Sequence, residues 1–133
     1  MKDKERKPTA RMLLGKRGED VACSFLERMG HRILERNYRS GHLEIDIISV
    51  DGYGVHFVEV KSRVAPVAAE PEESVTRLKQ RKITTAALRY LHRYGRSSER
   101  EAREVFFDVL AVTFDKGEER VEWFPGAYIP LYV

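Results

Sequence analysis

Apolar positions recur along this chain with two different periods, and each period predicts its own kind of element. Over residues 12–29 the spacing is helical, with Ala22, Phe25, Leu26 and Met29 on one stripe and Gly30 placed to end the helix. Residues 31–39 read as a short strand running into a turn at Ser40-Gly41. Stronger strands follow over 43–50 and 55–62, and the Asp51-Gly52 pair between them signals a hairpin. A loop with Pro66 and Pro71 leads to a second helix over 74–94, opened by Glu72 and Glu73 and closed by Gly95. Its stripe runs from Leu78 through Ile83, Ala86, Ala87, Tyr90 and Leu91 to Tyr94. A charged connector then precedes strands over 105–114 and 120–124, with Gly117 turning between them. Helix, three strands, helix, two strands predicts a mixed sheet with at least one helix on a face, an α/β sandwich.

Composition narrows this picture only a little. At 133 residues the chain has the length of one domain, with residues 1–11 a flexible basic lead and 12–133 the folded unit. The charged residues are mixed in sign rather than blocked, which argues against disorder. A net charge of +3 permits a polyanionic partner without demanding one. The single Cys23 excludes an internal disulfide and a cysteine-based zinc site, and its helical setting suits a small buried thiol. No window is apolar for long enough to span a membrane, so the expectation is a cytoplasmic protein with no membrane partner.

Chemistry enters with the strands. Alternation puts Leu43, Ile45 and Ile47 on one face and Glu44, Asp46 and Ile48 on the other. In the next strand Val55, Phe57, Glu59 and Lys61 share a face. Asp46 and Glu59 thus sit in the middle of apolar strands, where an unpaired carboxylate costs several kcal/mol. One account is an ion pair between Asp46 and Lys61 or an arginine; another is that the acids face water. A third is that both acids hold a divalent cation, which makes their mutual repulsion tolerable. A lysine beside such an ion can orient a water and neutralise a phosphate. His42 and His56 have no metal-binding spacing and are expected in ordinary surface or interface roles. No phosphate-cradling glycine loop, serine or cysteine nucleophile motif, or zinc cluster is present in the sequence.

An acid followed on the next strand by Glu-x-Lys resembles the signature of the PD-(D/E)xK nucleases. More of the chain agrees: the runs from Gly15 to Ala22, Arg36 to Arg39, Glu44 to Ile48 and Phe57 to Arg63, and the Phe107-Asp108-Val109 strand, are similar to the YraN-like family of bacterial proteins. The resemblance implies a restriction-endonuclease-like fold, three layers around a mixed sheet of about five strands in the order αβββαββ. It implies that Asp46, Glu59 and the Val60 carbonyl hold Mg²⁺ or Mn²⁺ and that Lys61 acts on the attacking water. Glu19 would be the further acid that the similar archaeal Holliday-junction resolvases supply from the first helix; a partner for the helix dipole is the other reading of it. Ile45 stands where the motif has proline, and Leu43 where the family has glycine. Glu44 is expected in solvent near the strand end.

Arg36, Arg39, Arg63, Lys79 and Lys82, with Arg93, could form a sequence-independent footprint on a phosphate backbone, or simply a solvated basic surface. The implied activity is a metal-dependent endonuclease acting on DNA, at branched or structured sites. The alternative is a DNA-binding module with little catalysis that assists a partner. Resolvase-like members work as dimers, so a homodimer is implied too; Trp123, Phe124, Tyr128 and Tyr132 serve either that interface or the core.

Overall fold

The computed structural model describes residues 7–67, 75–94 and 104–128. Helix α1 spans Ala10–Arg28, opened by Thr9, whose hydroxyl accepts from the Met12 amide at 3.1 Å. Strands β1 (Arg32–Ser40), β2 (Leu43–Val50) and β3 (Gly54–Val64) follow, then α2 (Arg77–Tyr94), β4 (Glu104–Asp115) and β5 (Glu118–Phe124). The expected order αβββαββ is therefore the observed one. Glu72, Glu73 and Gly95, expected to open and close the second helix, lie outside the described residues.

One five-stranded sheet runs β1-β2-β3-β4-β5 in space. Every neighbouring pair is antiparallel except β3 and β4, which are parallel. A parallel pair needs a crossover, and α2 lies between these two strands in the chain. Two apolar clusters sit on opposite faces. Ile83, Ala86, Ala87 and Tyr90 of α2 pack with Ile48, Val55, Phe57 and Val109. Ala22, Cys23 and Leu26 of α1 pack with Ile47, Val58, Leu110 and Val112. The result is three layers, with β3 and β4 the most continuously buried strands, α1 lying mainly over β3 and α2 mainly over β2. Trp123, Phe124 and Tyr128 pack against these clusters; Tyr132 lies outside the described residues.

The structure corrects three positions of the helical stripes. Met29 is 53% exposed, Leu78 61% and Tyr94 36%. Met29 is the C-cap, past the last turn the sheet covers. Leu78 stands in the first turn of α2 and borders a groove with His42, Leu43 and Lys82. A stripe continues in sequence after the surface it would pack on has ended.

Candidate active site

Strict alternation along β2 fails at Asp46, and this failure makes the site. Ile45 packs with Ile48 on the α2 face, whereas Ile47 packs on the α1 face, so the predicted grouping of Leu43, Ile45 and Ile47 is wrong. The backbone is irregular on both sides of this point. The β2–β3 ladder ends at Ile47–Val58, and the β1–β2 ladder passes from Arg36–Ile47 to Tyr38–Ile45 without pairing Asn37 to Asp46. Asn37 has φ +50°, a left-handed conformation that Asn adopts more readily than most residues. The strand thus parts from β3 beside Glu59, and the Asp46 carboxylate takes over a backbone role: its Oδ2 accepts from the Val60 amide at 2.8 Å.

A cleft of about 270 Å³ opens there, lined by Glu19, Asp46, Glu59, Val60, Lys61 and Lys79, with Arg11 and Ser62 at its border. It gathers every residue expected at the acid centre. Gly18 lets α1 close over it, since a Cβ at that position would run into the Ser62 side chain. Glu59 is buried, 5% exposed, on the α2 face of β3. Its Oε1 is ion-paired to Lys79 from α2 and lies 3.6 Å from Lys61 Nζ.

The charges in this cleft do not balance quietly. Burial, and then the neighbouring Glu59 carboxylate, push the Asp46 carboxyl up to about 8. Burial also raises Glu19, against the charge of Arg36, and Glu19 Oε1 is a buried oxygen with no hydrogen-bond partner. Lys61 is held below the usual lysine range by burial and by the adjacent Lys79 ammonium. Lys79 moves the other way: burial works against its charge, but its bond to Glu59 prevails. Two carboxylates and an orphaned acid oxygen crowd one small opening.

The expected basic footprint divides. Lys79 lines the cleft, and Lys82 lies beside it in the groove with Leu43 and Thr76. Arg36 and Arg39 border a wider groove of about 840 Å³ that shares Glu19 with the cleft. Arg36 donates to Asp20 at 2.7 Å, and Arg39 lies 3.8 Å from Glu44, which is solvent-exposed as expected. Arg63 is set apart, in a separate groove with Thr113, Asp115 and Arg120. Arg93 lies over the Tyr94 ring. Arg11, which the sequence offered only as part of a basic lead, joins the cleft.

His56 is a further correction: it is buried, not at the surface. Its Nδ1–H donates to Asp108 at 2.6 Å, and its Nε2 lies 2.9 Å from Asp51 Oδ1. Asp108, fully buried, also accepts from the Gly126 amide and the Trp123 indole. His31 completes the group, with Nδ1 2.9 Å from Ser49 and Nε2 3.4 Å from Asp51. Sequence spacing could not reveal this cluster, because strands β3 and β4, the link before β1 and the turn after β2 supply its members. The one available signal was a carboxylate, Asp108, in the most apolar strand of the chain.

Fold and site together define an open-sheet α/β protein with an acid-lined, lysine-flanked cleft where two strands separate. The chain belongs to the group described as Uncharacterised protein family UPF0102, which it matches over residues 18–112. It is 42% identical over 118 residues to a UPF0102 protein of Anaeromyxobacter dehalogenans, covering 89% of this chain and 85% of that relative. A UPF0102 protein of Geobacter metallireducens is 42% identical over 119 residues, covering 90% and 94%. One of Chlorobium chlorochromatii is 45% identical over 105 residues, covering 79% and 78%. Among solved structures, Pyrococcus furiosus SfsA in complex with Ca²⁺ is similar at a TM-score of 0.39 and 19% identity, the match covering 84% of this chain and 61% of that one. No helix among the described residues is long and apolar enough to cross a membrane.

Proposed function

We propose that this protein is a divalent-metal-dependent endonuclease that hydrolyses phosphodiester bonds in DNA, at branched or otherwise structured sites. The observation that carries the reading is the crowding of Asp46 and Glu59 beside Lys61, with the Asp46 carboxyl pushed up to about 8. Carboxyls raised by burial in a cleft, beside another carboxylate, make it a candidate functional site. The residues fit a hard divalent ion: the nearby donors are carboxylate oxygens and the Val60 carbonyl, and Glu19 brings an acid oxygen with no other partner. Asp46, Glu59 and Val60 would hold Mg²⁺ or Mn²⁺, with Glu19 completing the set. Bound there, the ion supplies charge neutralisation at the phosphate and a more acidic water.

The protein's own groups do the rest. The Val60 amide fixes the orientation of Asp46. Lys61, held below the usual lysine range, would orient the attacking water and accept its proton as the water oxygen bonds to phosphorus and the bond to the leaving sugar oxygen breaks, that oxygen taking a proton from solvent. Lys79 and Arg11 on the rim attract the phosphate backbone, and Lys82, Arg36 and Arg39 continue that positive surface into the adjoining grooves. Arg63 contributes at most at the margin of such a footprint, given its separate groove.

A DNA-binding module with little catalysis is favoured by one feature, the Lys79 ammonium seated on Glu59 where a cation's charge would act. The two readings part on a single panel. The protein is incubated with linear, single-stranded, flapped and four-way DNA in Mg²⁺ or Mn²⁺, with binding followed across a salt series. Metal-dependent cleavage supports the enzyme. Salt-sensitive binding without cleavage supports the module, and no binding of metal or DNA overturns both.

A further inference from the structure

The histidine cluster lies about 10 Å along β3 from Glu59, three residues away, and on the opposite face of the sheet. Its geometry is that of a ligand set with its supports already in place. Ligating histidines usually have the other ring nitrogen pinned by a buried acceptor, which fixes ring and tautomer. Both rings meet that condition here: His56 Nδ1 is bound to the fully buried Asp108, and His31 Nδ1 to the buried Ser49 hydroxyl. Both Nε2 atoms are thereby turned toward Asp51, one to each carboxylate oxygen.

His31 Nε2 is buried without a hydrogen bond, 3.4 Å from Asp51 Oδ2. Asp51 is anchored independently, its Oδ1 accepting from the amides of Tyr53 and Gly54. All three donor atoms fall within 4.8 Å of one another. Two nitrogen or oxygen donors about 2.1 Å from a tetrahedral ion stand about 3.4 Å apart. His31 Nε2 stands that far from Asp51 Oδ2, and His56 Nε2 lies 2.9 Å from Asp51 Oδ1, so a turn of the carboxylate and a small opening bring both nitrogens around one ion.

We infer that His31, Asp51 and His56 form a second metal site, for one divalent transition-metal ion of the zinc class, bound through both histidine Nε2 atoms and the Asp51 carboxylate. The mixed nitrogen and oxygen donors suit zinc or cobalt rather than magnesium, which separates this site from the all-oxygen cleft. The ion takes the place of the proton between His56 and Asp51. It ties the start of β1 and the turn after β2 to β3, with one position left for water.

The test is a Co²⁺ titration of the metal-stripped full chain, read by visible d–d absorption, followed by displacement with Zn²⁺ and a thermal melt. The expected result is one equivalent of four-coordinate Co²⁺, bleached by Zn²⁺, with a higher melting temperature in Zn²⁺. Glu59→Gln, which alters only the other site, keeps the band. His31→Gln and the isosteric Asp51→Asn each weaken binding by roughly tenfold or more. Circular dichroism checks both variants, and Asp51→Asn carries the test if His31→Gln does not fold. Failure of the wild-type chain to give the band overturns the inference. So does a band lost in Glu59→Gln but kept in folded Asp51→Asn.

Discussion

The two faces of β3 hold buried charge in opposite ways. Toward α2, Asp46 meets Glu59 across the strand separation, and burial, then the like charge of Glu59, displaces its carboxyl far from its ordinary range. Toward α1, His56 sits between Asp51 and Asp108, so each charge has an opposite neighbour. Burial alone favours a neutral His56 ring, yet Asp108 and Asp51 hold it above the usual range. Burial also works against the Asp51 charge, and hydrogen bonds from His56, Gly54 and Tyr53 outweigh it. Buried charge is therefore no mark of a reactive site in itself. Buried charge of one sign, beside an opening, calls for an added cation, whereas the balanced cluster already holds a proton where a metal ion would have to displace it.

The largest effect expected on this contrast is at Lys61. Lys61→Ala should lower single-turnover DNA cleavage about 10³-fold while leaving DNA affinity within a few-fold, measured on whichever substrate the wild-type protein cuts. Asp108→Asn attacks the balanced side. It leaves His56 facing a weaker acceptor in a fully buried setting, and urea unfolding should show a loss of about 3 kcal/mol. Gly18→Ala tests how closely α1 must seat on the cleft. The new methyl group meets Ser62, so a loss of about 1–3 kcal/mol is expected in the same assay, with reduced cleavage.

A subtler effect is pH-dependent and applies to the metal-free protein in EDTA. The folded-state pKa of Asp46 is about 8, raised above the 3.8 of the unfolded chain. The fold therefore binds a proton that the unfolded chain gives up, and this stabilisation is full below pH 3.8 and lost as pH rises toward 8. Asp46→Asn should flatten the decline, becoming more stable than wild type at pH 8 by comparison with pH 5. An unchanged slope would show that Asp46 titrates normally. The smallest effect is at Arg39, exposed at the groove edge: Arg39→Ala should reduce the salt dependence of DNA binding by about one unit of slope.

Much of the fold was legible because each element carries its own period. Strand β2 was placed at its observed ends, and α2 differed chiefly at its start. The acid centre was legible for a related reason: Asp46, Glu59 and Lys61 are charged residues in strands otherwise chosen for burial. What escaped depends on register. The break in alternation at Asp46 lies opposite a left-handed Asn37 on the neighbouring strand, which no period within β2 encodes. The cluster of His31, Asp51, His56 and Asp108 exists only once β3 and β4 are paired and the segments before β1 and after β2 are laid beside them, and Arg63, two residues past Lys61, lines a separate groove.

The central claim is that the crowded acids of the cleft hold a divalent ion on which cleavage depends. Its most direct test is the single-turnover cleavage rate of wild type and Glu59→Ala as Mn²⁺ is raised, both confirmed folded and both saturated with the same DNA. The wild-type rate should rise with Mn²⁺ and saturate, and Glu59→Ala should show none above background. Cleavage that ignores Mn²⁺, or that survives in Glu59→Ala, would contradict the claim.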